Sequence, residues 1–219
     1  MVNIYFAAPL FNAPDKFFNT HLADALERKG HETFLPQRDG FEFSQLAECL
    51  QDIGISEAQL PEAVRHIIFL YDMKHQLPKA DTTIARLDEP MDPGLLIELS
   101  ESKRLGKINI GYRTDIRSPY GSLQETYGGA HFFPIYKLDS FIQHPISASS
   151  PEQANNELEE LANKIDNLSS YRKPQPTGNV AGALFSGIDP TNQKDIEELA
   201  KRYQHLKEKV ASALNPRQQ

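Results

Sequence analysis

One feature constrains this chain more than any other: short β-favouring runs alternate with longer segments of helical periodicity. Residues 3–8, NIYFAA, form the first run and stop at Pro9. From Asp15 to Lys29 the apolar residues Phe18, Leu22, Ala25 and Leu26 recur at helical spacing, and Gly30 follows as a stop. ETFLP, closed by Pro36, is a second strand, and QRDG then turns. HIIFLY alone reads equally well as a strand. However, Val64, Ile67, Ile68 and Tyr71 fit a helical stripe and Pro61 suits a first turn, so the spacing predicts a helix over 61–77. TTIARL (82–87), KINIGY (107–112) and AHFFPIY (130–136) are the third, fourth and fifth strands, with a helix from Pro93 to Leu105 between the third and fourth.

Strand–helix–strand alternation with short loops implies parallel pairing through right-handed crossovers. The expected fold is α/β: a doubly wound, mostly parallel five-stranded sheet, flavodoxin- or Rossmann-like, with a C-terminal helical extension. Ligands in such sheets bind at the carboxyl ends of the strands. That rule gathers Pro9 to Asn12, Gln37 to Asp39, Asp88 to Asp92, and Arg113 to Arg117. The α/β domain is expected to span residues 1–145. Residues 146–219 then form a helical extension that packs on the domain or on a neighbouring subunit. It contains a helix over 151–168 with Leu158, Leu161, Ile165 and Leu168 on one side, and a linker-like stretch, SSYRKPQPTGN. A final helix carries a seam of Ile196, Leu199, Tyr203, Leu206 and Val210.

Composition excludes several function classes. A formal net charge of −7 argues against binding a nucleic-acid polymer. The single cysteine, Cys49, allows no internal disulfide, and none of the seven histidines forms a His-x-x-x-His pair, so no metal site is expected. The opening MVNIYFAAPLF reads as a strand rather than a signal peptide. No segment approaches the ~18 apolar residues of a membrane span. A cytoplasmic location is the expectation.

Against this background Glu98 is out of place. It sits inside the apolar run Leu95, Leu96, Ile97 and Leu99. Asp92-Pro93-Gly94 reads as a helix start, with Asp92 as cap, which puts Glu98 in the second turn. Helical side chains lean back over the preceding turn, and there Gly94 has no side chain. The positions three and four away are Leu95, Gly94, Glu101 and Ser102, so no helical ion pair is available. A carboxylate at the positive end of a helix is expected to stay ionised and to be a competent nucleophile, as in retaining glycosyl transfer. Asp72, Asp88 and Asp92 supply further carboxyl groups for acid–base work.

Together the pieces IYFAAPLF, FLPQRDG, Asp72 before ADTTIARLD, DPGLLIE and GKINIGYRTDIR resemble the nucleoside 2-deoxyribosyltransferases, in the family's order over residues 3 to about 140. The resemblance implies that Glu98 forms a covalent deoxyribosyl-enzyme, that Asp92 helps hold the sugar hydroxyl, and that Asp72 protonates the leaving base. It further implies that Tyr5 orients the nucleophile, while Phe11 stacks on the base and Gln37 reads its edge. Asp39, Asp88, Gly94, Arg113 and Asp115 complete the expected substrate-binding set at the strand ends. The implied partners are 2′-deoxynucleosides and free nucleobases, in a salvage reaction that needs no cofactor, and the implied assembly is a homo-oligomer. Family members carry an asparagine after the fourth strand that reaches a neighbour's sugar site. Here that stretch is SPYGSLQETYGG, with Gln124 and Glu125 but no asparagine.

Two alternatives stand beside base exchange. A 2′-deoxynucleoside 5′-phosphate N-hydrolase would need a phosphate nest after the first strand, where this chain has AAPLFN, although Arg113 and Arg117 offer cations. A non-catalytic nucleotide- or partner-binding module on the same fold is the other.

Overall fold

The computed structural model describes residues 1–122, 124–172, 180–214 and 217–218. Strands β1 (Asn3–Ala7), β2 (Glu32–Phe34), β3 (Thr82–Arg86), β4 (Ile108–Arg113), β5 (Ser140–Gln143) and the two-residue β6 (Arg217–Gln218) form one sheet. Its order is β2-β1-β3-β4-β5-β6, and every neighbouring pair is parallel. Five strands form the parallel sheet as expected, four of them where the sequence places them, and β6 adds a short edge beside β5.

Alternation along the strands builds two cores. Ile4 and Phe6 of β1, Ile84 of β3, and Ile110 and Tyr112 of β4 pack into one apolar cluster. Leu22 and Leu26 of α1 (Ala13–Arg28) and Leu158, Leu161 and Ile165 of α8 (Pro151–Leu168) belong to the same cluster. On the opposite face, Tyr5, Ala7, Ala85 and Leu87 meet Leu95 and Leu99 of α6 (Pro93–Arg104). Burial on both faces explains why the strand sequences read as continuous apolar runs. Gly30 ends α1 at φ +88°, a backbone state that other residues adopt at a cost.

Between β2 and β3 the chain forms α2 (Pro36–Asp39), α3 (Phe43–Asp52) and α4 (Leu60–Tyr71). The helix expected over 61–77 is interrupted. After Tyr71 it widens into a π-turn (Asp72–Gln76) and resumes as α5 (Leu77–Lys79). QRDG is the body of α2 rather than a plain turn, and α3 has no counterpart among the expected elements.

The fifth strand lies further along the chain than expected. Residues 132–135 form the short helix α7 (Phe132–Ile135), and the strand is Ser140–Gln143. Pro134 has no N–H to give to a sheet ladder, and Phe132 and Phe133 are exposed rather than sheet-packed. The expected domain boundary near residue 145 falls just before α8, a helix that the first core requires. Beyond it, α10 (Gln193–Leu214) packs on α9 (Val180–Phe185). Leu199, Leu206 and Val210 of the seam are half-buried, whereas Ile196 and Tyr203 are exposed. Of the linker-like stretch, residues 173–179 lie outside the described residues. Among the described residues no helix is long and apolar enough to cross a membrane.

Candidate active site

The chain leaves β1 toward β2 on one side and leaves β3 toward β4 on the other. A crevice therefore opens between β1 and β3 at their carboxyl ends. Tyr5 is fully buried on β1, and its hydroxyl donates to Glu98 Oε1 over 2.8 Å. Glu98 comes from the second turn of α6. Asp92 caps that helix as expected, its Oδ2 accepting from the Leu95 N–H at 2.9 Å, with Pro93 in the first turn. A Cβ on Gly94 would meet Asp92 Oδ2 at 2.8 Å, so the bare glycine makes room for the capping carboxylate. Asp72 opens the π-turn. No hydrogen bond or ion pair to its carboxylate is present among the described residues.

Glu98 as a whole residue is only half-buried, but its carboxylate lies deep among protein atoms, and that depth governs its acidity. Burial pushes its pKa up to about 8, the Tyr5 hydrogen bond opposes the rise, and the nearby charges of Asp72 and Asp92 add to it. Burial thus works against the expectation that the helix end keeps this carboxylate ionised. Asp72 is raised to about 6 by burial. Tyr5 is held well above the usual phenol range, first by burial and then by the charges of Glu98 and Asp72. A buried carboxylate facing two other acids, with no cation of its own, is a costly arrangement for a scaffold and a useful one for chemistry.

Other expected site residues are differently employed. Phe11 is 78 % exposed in the loop after β1. The Gln37 amide is occupied by α1: it donates to the Lys16 carbonyl at 2.7 Å and to Thr20 Oγ1 at 2.9 Å, and accepts from Asn19 at 3.2 Å. Asp39 accepts from the Leu35 N–H and pairs with Arg38, which closes α2. Asp88 accepts from the Thr114 N–H, the Thr114 hydroxyl and the Asp115 N–H. Arg113 is buried and donates to Asp115 and to the Gly128 and Arg117 carbonyls. Gln37, Asp39, Asp88, Arg113 and Asp115 tie loops together at the sheet edge, a task that sequence spacing does not distinguish from ligand contact.

One residue of this region has no place among the sequence expectations. Asn19 is buried and joins the loop after β1 to α2, through the Pro9 carbonyl and Gln37. It stands three, four and seven positions before the buried Leu22, Ala23 and Leu26, a polar residue on an apolar stripe, the same signal that exposed Glu98. Thr114, inside the strand-end group Arg113 to Arg117, anchors Asp88. A separate cavity of about 330 Å³ runs along β2, lined in part by Phe34, Tyr71, His75 and Gln76. Glu98, Asp72 and Asp92 are not among its lining residues.

Comparison with known proteins follows the same outline. The chain is similar to a 2-deoxyribosyltransferase from the psychrotolerant bacterium Bacillus psychrosaccharolyticus, at 21 % identity over 72 % of this chain and 90 % of that chain, with a TM-score of 0.44. It is also similar to a CMP N-glycosidase from Clostridium botulinum, at 18 % identity over 75 % of this chain and 98 % of that chain, with a TM-score of 0.38. No curated protein sequence matches it. A family model described as nucleoside 2-deoxyribosyltransferase matches residues 4–167, from the start of β1 to the end of α8 and across the whole crevice. On that match, the chain belongs to the nucleoside 2-deoxyribosyltransferase family.

Proposed function

We propose that this protein transfers 2-deoxyribose between nucleobases by double displacement on Glu98. The observation that carries the reading is the Glu98 carboxylate itself: deep among protein atoms at the switch point of the sheet, oriented by Tyr5 and accompanied by acids rather than cations. Family membership supports glycosyl-transfer chemistry in general. In the first step a Glu98 oxygen bonds to the anomeric carbon while the bond from that carbon to the base nitrogen breaks. The bond's electron pair leaves with the base, which takes a proton from Asp72 or water. In the second step an incoming base nitrogen attacks the same carbon and gives its proton to Asp72. The ester bond breaks and the Glu98 carboxylate returns. Two inversions give net retention.

Burial raises the pKa of both Glu98 and Asp72, so the pair holds protons at higher pH than ordinary carboxyl groups do. The productive arrangement places a proton on Asp72. The Tyr5 hydroxyl favours this form by donating to ionised Glu98.

Charge favours a neutral nucleoside over a nucleotide. Arg86 is paired with Asp15, and Arg113 and Arg117 share Asp115 at 2.7 and 2.8 Å. Each arginine at this edge already faces a carboxylate of the chain, while the crevice adds Glu98, Asp72 and Asp92. The test is product analysis: a 2′-deoxynucleoside is incubated with a different free base. The reading expects the new nucleoside to form, and to vanish in Glu98→Ala. Release of free base alone, at a rate independent of the added base, would replace transfer with hydrolysis.

A further inference from the structure

Asp72 and Glu98 come from two elements that are not covalently close, and their spacing has to be maintained. The element that carries Asp72 is a π-turn, with one residue more per turn than an α-helix; such turns persist where surrounding contacts hold them. On its core side Met73 and Leu77 are buried in the second apolar cluster, and Gln76 donates to the Asp39 carbonyl at 3.0 Å. Those contacts fix the turn to the sheet, to α2 and, through Leu95 and Leu99 of the same cluster, to the apolar face of α6. Toward α6 the turn has a polar tie as well. Lys74 Nζ lies 2.9 Å from Glu101 Oε1. Lys74 is two residues after Asp72, and Glu101 is three residues after Glu98 on the same face of α6. The ion pair and the carboxyl pair therefore join the same two elements, one helical turn apart.

We infer that Lys74 and Glu101 are positioning residues, whose ion pair fastens the π-turn to α6 and thereby sets the spacing of Asp72 and Glu98. The inference rests on the functional reading above for its catalytic consequence, though not for the fastening itself. Glu101 is suited to the task. Its side chain is 14 % exposed and bonds Arg104 through both oxygens, at 2.6 and 2.8 Å, and its neighbours hold its pKa down at about 2. It stays charged across the working range. Asp72 is faced by Glu98 from α6 and Tyr5 from β1, and Glu98 by Tyr5, Asp72 and Asp92. None of these is a cation, so nothing in the carboxyl cluster itself draws the two elements together. An exposed ion pair adds little to global stability. Its loss should therefore appear in geometry before it appears in unfolding.

The test compares Lys74→Met, Lys74→Arg, Glu101→Gln and, as a control for charge alone, Lys79→Met. Lys79 lies at the end of the same segment but contacts His75, not α6. Hydrogen exchange of the amides of residues 72–77, kcat, KM and the pH profile are measured on each. Lys74→Met and Glu101→Gln should exchange faster at 72–77 and lose about tenfold in kcat with KM within about twofold, since small misplacements of reacting groups cost rate steeply. Their limb near pH 6 should move toward lower pH as Asp72 gains solvent. Lys74→Arg and Lys79→Met should resemble the parent protein. Wild-type exchange, kcat and pH limbs in Lys74→Met would overturn the inference, as would an equal loss in Lys79→Met. A parent protein without base exchange would instead remove the functional reading, and the exchange rates would still decide the fastening.

Discussion

The two sides of the crevice treat their charges in opposite ways. On the side of α1 and β4, three acids are matched: Asp15 with Arg86, Asp115 with Arg113 and Arg117, and Asp88 with the Thr114 hydroxyl and two backbone N–H groups. On the side of α6 and the π-turn, Glu98 and Asp72 face each other with a tyrosine and no cation. The matched side behaves as scaffold, because its carboxylates already have partners within the chain. The unmatched side keeps two carboxyl groups displaced from their ordinary acidities, to about 8 and about 6, and that displacement is available to a reaction. Substitutions on the two sides should accordingly have different signatures.

The largest expected effect is at Glu98. Glu98→Gln should lower base exchange by about 10⁴-fold or more, as loss of a covalent nucleophile does. The same change should raise stability at alkaline pH. The folded pKa near 8 lies above the ordinary 4.5, so the contribution of Glu98 is intact below about pH 4.5 and is lost as pH climbs toward 8. Thermal melts at pH 9 should show Glu98→Gln more stable than the parent by about 1–3 kcal/mol, and no difference should remain near pH 4. A stability loss at pH 9 would mean that Glu98 is a structural group.

Next comes Asp72→Asn, for which kcat/KM should fall by about 10²-fold, the usual scale of a lost general acid. In the parent protein kcat/KM should trace a bell with limbs near pH 6 and pH 8, and Asp72→Asn should lose one of them. A smaller effect is expected at Gly94→Ala. The added Cβ would displace Asp92 Oδ2, so activity should fall about tenfold. The melting temperature should change little, since alanine's helix propensity offsets the disturbed cap. Smallest in activity is Asp88→Asn on the matched side: about 1–3 kcal/mol of stability from strained hydrogen bonds, kcat/KM within about twofold, and an unshifted pH bell. A shifted bell in Asp88→Asn would erase the distinction between the two sides.

Much of this was legible from the residues. NIYFAA announced β1 because both faces of that strand are buried. Asp92-Pro93-Gly94 announced the start of α6, and Glu98 announced itself by breaking an apolar run. What escaped depends on the rest of the chain. The stripe Val64, Ile67, Ile68 and Tyr71 shows a helix, but the extra residue of the π-turn is a tertiary adjustment with no periodic signature. AHFFPIY has the composition of a strand, yet Pro134 and two exposed phenylalanines make it a helical turn. Gln37, Asp39, Asp88, Arg113 and Asp115 stand at the strand ends as ligand contacts would, and the ties they also make between loops depend on the fold. The acidity of Glu98 depends on the fold in the same way. The helix dipole is local and readable, whereas burial is assembled from β1, α6 and the π-turn together.

The central claim is that the Glu98 carboxylate bonds to a sugar carbon. The most direct measurement is mass spectrometry of the intact protein, quenched in acid shortly after mixing with a 2′-deoxynucleoside, followed by peptide mapping. The account predicts a mass gain of one deoxyribosyl unit, located on Glu98 within residues 93–104, absent in Glu98→Gln and discharged on addition of a free base. Base exchange proceeding with no adduct, or with an adduct on another residue, would contradict it.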